Sequence, residues 1–421
     1  MSASPRRAWA VTLMIVVLMM INFGDKAVLG LAAKPIMAEL GLSATQFGGI
    51  SSSFYLLFSL AAVIVGFVSN RVSTTTILGV IAVLWSLATL PVLLAASVPM
   101  LYASRIALGG AEGPTAPMAA HAVQKWFPEN ARAIPTALTT MGGALGLAVT
   151  APTLAYFIAN HGWRSGFAAL AIVGIVWAAA WYVIGKEGPY REYSSTAEAR
   201  ATSTSEERTV GYARLFTSRT WLGTIVAGAG AYWALAVSTA WLPTLLERGR
   251  GYSAQTTAVL VSSPHIVSAV AILVIPLVSE RLVRAGVSAR WSLGVLAGAM
   301  VVLAGVCAVF VGHTSGTVLL VLVAVAFGIP SAFYPLSFLM AGRISPVKQR
   351  GAVMATATAI VTMTGVIAPT VTGRIIDAAG GPAAAFDEVF LVSGAILLVC
   401  RIVGAFAMHP DADARRFGLR S

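Results

Sequence analysis

Long apolar stretches and short polar breaks alternate along the whole chain. Each stretch is close to the ~20 residues that an α-helix needs to cross the hydrocarbon core of a bilayer. The pattern predicts twelve such helices, centred near Val17, Leu57, Ala82, Gly110, Leu145, Gly174, Ala231, Val267, Ala299, Ala326, Met363 and Ala395. One break is far longer than the rest. It begins at Lys186, ends at Arg219 and contains KEGPYREYSSTAEARATSTSEER, a solvated linker rich in Glu, Arg, Ser and Thr. It divides the chain into a six-helix bundle (1–185), a linker (186–219) and a second six-helix bundle with a short tail (220–421). The predicted fold class is all-α integral membrane, with twelve transmembrane helices in two pseudo-symmetric six-helix bundles.

A short repeat supports the six-plus-six division. VSNRV (Val68 to Val72) follows the second helix, and VSERL (Val278 to Leu282) follows the eighth. The same Val-Ser-x-Arg-apolar string recurs at the same place in each half. Parallel repeats of six helices are the architecture of one large class of transporters.

Composition agrees with a membrane chain. Of the 421 residues, 57% are hydrophobic and 10% are charged, and the mean hydropathy is +0.83. A soluble domain carries about 25% charged residues. The 40 Gly and 19 Pro would weaken soluble helices. In a membrane, small residues allow close helix packing and neighbours re-satisfy the backbone. Cys307 and Cys400 lie far apart in apolar runs and read as buried thiols rather than a disulfide framework. The first apolar run is too long for a signal h-region and has no small-residue cleavage site, so a retained first helix is expected.

The formal net charge of +12 invites a nucleic-acid reading, but its distribution describes topology. Arg6, Arg7, Arg71, Lys125, Arg132, the linker, Arg281, Arg284, Arg290, Arg343, Lys348, Arg350, Arg415, Arg416 and Arg420 all fall on one side. The other side has Lys34, Arg164, Arg248, Arg250 and Arg374. Basic residues concentrate in cytoplasmic loops, so both termini and the linker are expected in the cytoplasm, and no nucleic-acid partner is expected.

Charges inside the spans are costly and mark function by default. Four stand out: Asp25 and Lys26 in INFGDKAVLG, and Arg105 and Glu112 in RIALGGAEGPTAP. Arg105 and Glu112 are two turns apart on one helix face, whereas Asp25 and Lys26 are roughly 100° apart around theirs. The four charges sum to zero. They describe either a structural ion-pair cluster or a water-accessible cavity with titratable carboxylates and a cationic docking point. A carboxyl in a low-dielectric cavity can hold and release a proton near neutral pH. Proton binding at Asp25 or Glu112 then frees Lys26 or Arg105 for an incoming anion. Tyr55, Tyr232, Tyr334, Thr358 and Thr362 are candidate hydrogen-bonding groups for such a substrate, alongside ordinary helix contacts. His265 is a possible second proton site, although a structural role is the simpler one for a lone His. Arg401 is expected to snorkel to the cytoplasmic end of the last helix.

No catalytic constellation is legible. The chain has no phosphate-cradling loop, no His/Cys/Asp cluster at metal spacing and no convergent Ser/His/Asp set. No enzyme activity, metal or cofactor is expected beyond a proton as coupling ion.

These residues resemble the anion:cation symporter family of the major facilitator superfamily. INFGDKAVLGLAAKP is similar to that family's first helix, where an Asp precedes a basic residue. RIALGGAEGPTAPMAAHAVQKWFPENARA is similar to its fourth helix. The resemblance implies Asp25 and Glu112 as proton-coupling acids and Lys26 and Arg105 as substrate-facing cations. It also implies a conformational latch in the repeated loops, here Arg71, Glu280 and Arg281.

Three departures stand out. Lys26 replaces the usual Arg and offers a point charge instead of a planar fork. Gly143 lies where sugar-acid members place a Gln, which favours a smaller or more apolar carboxylate over a hexonate. Asn70 replaces the loop Asp, which is expected to weaken the latch.

The expected function is proton-coupled import of a small organic anion, a carboxylate or sugar acid, by alternating access. A monomer in the inner (plasma) membrane suffices. Efflux antiport and a transporter-like ligand sensor remain the alternatives. Helix five lacks the exporters' Gly-Pro-x-x-Gly-Gly string, and linker and tail are short for an appended sensor domain.

Overall fold

The structure, a computed structural model, describes residues 5–69, 71–94, 97–127, 131, 133–189, 210–288, 290–346 and 349–419. Asn70, Arg132, Lys348, Arg420 and most of the predicted linker (190–209) lie outside the described residues. All regular structure among the described residues is helical. The chain forms two compact units, Met1–Ser205 with Ser253–Ala258, and Glu206–Tyr252 with Val259–Ser421.

The first unit contains α1 (Pro5–Leu31), α2 (Ala33–Leu40), α3 (Ala44–Val68), α4 (Thr74–Leu94), α5 (Val98–Glu112), α6 (Thr115–Gln124), α7 (Ala133–His161) and α8 (Trp163–Ile184). Local chemistry sets several ends. The Ser97 hydroxyl caps α5 by accepting from Met100 N, and α2 stops at Gly41 in the left-handed region (φ 62).

Eleven helices among the described residues are long and apolar enough to cross a membrane. The predicted fourth crossing is the exception, because it is split. α5 ends at Glu112, Gly113 and Pro114 form a turn, and α6 restarts at Thr115. Pro114 brings no N–H to the Gly110 carbonyl, which interrupts the ladder at that point. Expected as one continuous helix, this crossing is two short helices with an acid at the junction.

Packing in this unit turns on glycine. A Cβ on Gly109 would lie 1.7 Å from the Phe54 carbonyl oxygen, and one on Gly113 would lie 1.9 Å from that of Phe58. Four-residue spacing of small residues lets α5 and its C-terminal turn press against the α3 backbone, as in other membrane helix pairs. α7 does the same to α1. A Cβ on Gly146 would meet Met20 Cα at 2.5 Å, and one on Gly143 would meet the Phe23 ring at 2.6 Å.

The second unit contains α9 (Tyr212–Phe216), α10 (Arg219–Ala240), α11 (Ala254–Arg284) from Val259 onward, α12 (Leu296–Val311), α13 (Gly316–Gly328), α14 (Phe333–Ile344), α15 (Arg350–Thr362), α16 (Thr364–Ala378), α17 (Pro382–Ala407) and α18 (Pro410–Arg416). Met363, the predicted centre of the eleventh crossing, falls at the break between α15 and α16. The sequence repeat has a structural counterpart. The offset that carries Val68 to Val278 carries Phe54 to Pro264, and Gly328 crowds the Pro264 carbonyl as Gly109 crowds that of Phe54. The helix bearing that glycine breaks soon after in both units, at Gly113–Pro114 and at the 3-10 turn Ile329–Ala332.

Arg401 does not snorkel. It is 1% exposed, and it donates to the Gly294 carbonyl inside the second unit. Gly298 makes the room, since a Cβ there would overlap the guanidinium. Cys307 is buried, Cys400 is half-buried, and both are free thiols.

Candidate functional site

The four charged residues singled out in the sequence converge within the first unit. Asp25 (2% exposed), Arg105 (4%) and Glu112 (1%) are buried, and Lys26 is nearly so. Lys26 Nζ donates to Glu112 Oε2 at 2.9 Å and to Asn22 Oδ1 at 2.6 Å. Asn22 stands one turn before Lys26 on α1, so the spacing itself delivers the amide to the ammonium. Glu112 sits in the last turn of α5, where the helix dipole disfavours a negative charge. The Lys26 ammonium offsets that.

Arg105 reaches α1 by a different route. Its NH1 donates to the Asp25 main-chain carbonyl at 3.4 Å. Asp25 therefore lies among three charges, interacting with Glu112, Arg105 and Lys26. Three polar atoms of the cluster, all buried, have no hydrogen-bond partner among the described residues: Asn22 Nδ2, Arg105 Nε and Glu112 Oε1. Asn22 does lie within hydrogen-bonding reach of Glu112, but Asn22 Nδ2 and Glu112 Oε1 stand outside the geometry of a formed bond. Two open donors and one open acceptor thus face a cluster whose net charge is zero.

Aromatic rings wall the cations. Lys26 Nζ lies 4.5 Å from the centroid of Phe23, 5.7 Å from Phe54 and 5.6 Å from Phe58. The Arg105 guanidinium lies 5.1 Å from Phe54. Tyr55 is buried, stacks edge-on against Phe54 at 5.0 Å and interacts with Arg105. Cation–π attraction at these distances keeps a cation comfortable away from bulk water.

The remaining candidates lie in the second unit, except Arg71. Tyr232 and Tyr334 form an edge-to-face pair at 6.4 Å. Thr362 is buried, and its hydroxyl donates to the Ala359 carbonyl. Thr358 is exposed, and its hydroxyl returns to the Met354 carbonyl of its own helix. His265 is 4% exposed, and no charged side chain among the described residues acts on it. Of the latch residues, Arg71 and Arg281 are exposed, and Glu280 pairs with Arg284 one turn on at 2.5 Å.

Polar clusters near helix ends tie each unit together. Glu39 after α1 accepts from Arg164 at 2.6 Å and from the Trp163 indole at 2.7 Å, and Arg164 stacks on Trp163. Hydrogen bonds from Arg164 and then Trp163 hold the Glu39 carboxyl at about 2. In the second unit Arg250 pairs with Asp387 at 3.3 Å and stacks on Phe386. At the other end of the first unit, Glu187 accepts from Lys125 at 2.5 Å and from the Thr75 amide at the start of α4. Burial of Glu187 opposes its ionisation, but hydrogen bonds from Lys125 and Thr75 outweigh it and hold the carboxyl at about 2.

Sequence reasoning missed Asn22, the three phenylalanines and the glycines that seat them. Two signals were present: the one-turn spacing of Asn22 and Lys26, and Gly109-x-x-x-Gly113 beside the buried acid. Among the described residues no group of three or more His, Cys, Asp or Glu has the arrangement to hold a metal ion.

This fold and this cluster coincide with a family match over most of the chain: the family model described as Major Facilitator Superfamily matches residues 15–329, and the chain belongs to that family. It is a multi-pass membrane transporter and not an enzyme. A hexuronate transporter of Bacillus subtilis is 29% identical over 397 residues, covering 93% of this chain and 92% of that one. A probable sulfoacetate transporter of Cupriavidus necator is 26% identical over 408 residues, covering 92% and 90%. Among solved structures, an inward-facing, unoccupied bacterial homologue of the human lysosomal transporter Spinster has a TM-score of 0.78 at 18% identity, over 98% of each chain. A D-xylose–proton symporter has a TM-score of 0.75 at 15% identity, over 96% of this chain and 99% of that one.

Proposed function

We propose that this transporter is a proton-coupled symporter that imports a small organic anion by alternating access. The observation that carries the reading is the buried Lys26–Glu112 pair, with open donors on Asn22 and Arg105 around it. The relatives matched over nearly their whole length are named for hexuronate and sulfoacetate, both organic anions.

The chemistry follows from charge balance. With Asp25 and Glu112 ionised and Lys26 and Arg105 protonated, the cluster is neutral. A proton on Glu112 releases Lys26 and leaves one positive charge too many. A monoanion then restores neutrality. Its oxygens accept from Lys26 Nζ, Arg105 Nε and Asn22 Nδ2, and the protonated Glu112 becomes a donor. Loss of the proton lets Glu112 reclaim Lys26 and expel the anion. Neither ion is stable in the site alone, because an uncompensated buried charge is strongly disfavoured. Coupling arises from that mutual dependence at one proton per monoanion. Asp25 holds Arg105 at the cluster and serves as the second acid. A bacterial inner membrane with both termini in the cytoplasm, and a monomer as the working unit, complete the proposal.

The test is accumulation of labelled anion in proteoliposomes. An inward proton gradient should drive uptake above the external concentration, and a protonophore should collapse it. Uptake that only equilibrates, whatever the gradient, contradicts proton coupling.

A further inference from the structure

We infer that the Lys26 pocket selects organic anions whose charged group sits on an unhydroxylated carbon, a methylene or an aromatic ring, and discriminates against 2-hydroxy acids. The inference rests on the anion-transport reading above and names the substrate class of the same site.

The space around the Lys26 ammonium is apolar on three sides. Phe23, Phe54 and Phe58 stand 4.5, 5.7 and 5.6 Å from it. Close glycine contacts set the positions from which these rings project. Phe23 lies on Gly143, where a Cβ would come within 2.6 Å of the ring. The backbones of Phe54 and Phe58 are pinned by Gly109 and Gly113. Three glycines therefore seat three rings around one cation.

A carboxylate or sulfonate bound to Lys26 brings its neighbouring carbon into this box. A methylene or aryl carbon is compatible with the rings. A hydroxyl there needs an acceptor for its proton, and the rings that line the box offer none. Asn22 Oδ1 accepts from Lys26 at 2.6 Å. Glu112, the other Lys26 partner, is protonated in the loaded state and turns its O–H to the anion's charged group. Asp25 projects about 100° around α1 from Lys26. An uncompensated hydroxyl is expected to weaken binding about tenfold or more, the equivalent of ~1.4 kcal/mol.

Matched pairs differing by one hydroxyl test this with the full-length protein in proteoliposomes. Propionate is set against lactate, and phenylacetate against mandelate, as proton-driven substrates and as competitors. The deoxy member of at least one pair should be favoured about tenfold or more in apparent affinity. Phe58→Gln places an amide oxygen on the box and should shrink that ratio. Lactate and mandelate equal to or better than their partners overturns the substrate class and leaves anion symport intact. An unchanged ratio in Phe58→Gln counts against the box as its cause. Silence with every acid, for protein that stays folded, overturns the transport reading and this inference with it.

Discussion

Lys26 on α1 holds Glu112 on α5 at 2.9 Å, across 86 positions of sequence. The adjoining Asp25 is not where Lys26 finds its strongest partner. Arg105 meets Asp25 instead at the main chain. The proposed mechanism accordingly gives the two acids different tasks: Glu112 exchanges Lys26 with a substrate, and the charge of Asp25 balances that of Arg105.

The pair predicts a specific pattern of stability. Lys26→Met leaves Glu112 buried without its cation, and Glu112→Leu leaves the converse. Breaking one side of a buried pair costs about 3–5 kcal/mol, whereas replacing both by apolar groups is often nearly neutral. Each single variant should melt well below wild type, and the double variant should recover most of the loss. A double variant as unstable as the sum of the singles would show that the two residues are not coupled.

The glycine contacts predict intolerance to a single methyl group. Gly109→Ala and Gly113→Ala place Cβ 1.7 and 1.9 Å from carbonyl oxygens, so α5 and its terminal turn must move off α3. Overpacking of this kind costs about 1–3 kcal/mol or more. Both variants should show reduced yields of monodisperse protein. Gly66→Ala meets nothing within 4 Å and serves as the control. Normal yield and melting for Gly109→Ala would contradict the packing described for α3 and α5.

Arg401 predicts a gain rather than a loss. It is buried, and its Nε and NH1 have no hydrogen-bond partner among the described residues. Its bond to the Gly294 carbonyl repays little of that desolvation. Arg401→Met should melt no lower than wild type in detergent. A large drop in melting temperature would show that the guanidinium has a partner that stabilises it.

The Glu187 cluster predicts a pH window. Its carboxyl is held at about 2, below the ordinary 4.5. A depressed folded-state value stabilises the fold above pH 4.5 and loses that contribution as pH falls towards 2. The melting difference between wild type and Glu187→Gln should be constant from pH 7 to about 5.5 and smaller at pH 3. A difference that grows on acidification would reverse the sign of the argument.

Much of this was legible in the sequence, for physical reasons. Apolar length reveals membrane helices because lipid demands it, and eleven of the predicted centres lie inside helices. Met363 and the junction after Glu112 were not seen as breaks, because hydropathy is blind to a lost backbone hydrogen bond. The four buried charges were legible because such charges are rare in a span. Their pairing was not. That Lys26 meets Glu112 depends on how α5 is placed in the bundle, and Gly109 and Gly113 set its approach to α3 through contacts that a single helix does not reveal. Arg401 was misread because its place near the end of an apolar run suits snorkelling. The space that Gly298 opens inside the bundle appears only once α12 and α17 are packed together.

In the proposed mechanism the Glu112 proton is what the anion moves with. Glu112→Gln separates the two ions, because its amide cannot release Lys26 by gaining a proton. The decisive measurement compares wild type and Glu112→Gln in proteoliposomes carrying an internal pH dye and labelled anion. Wild type should acidify the interior as anion enters and accumulate it under an inward proton gradient. Glu112→Gln should neither acidify nor accumulate, while it still exchanges internal for external anion. Acidification and uphill uptake that persist in Glu112→Gln would show that the coupling proton is carried by another group.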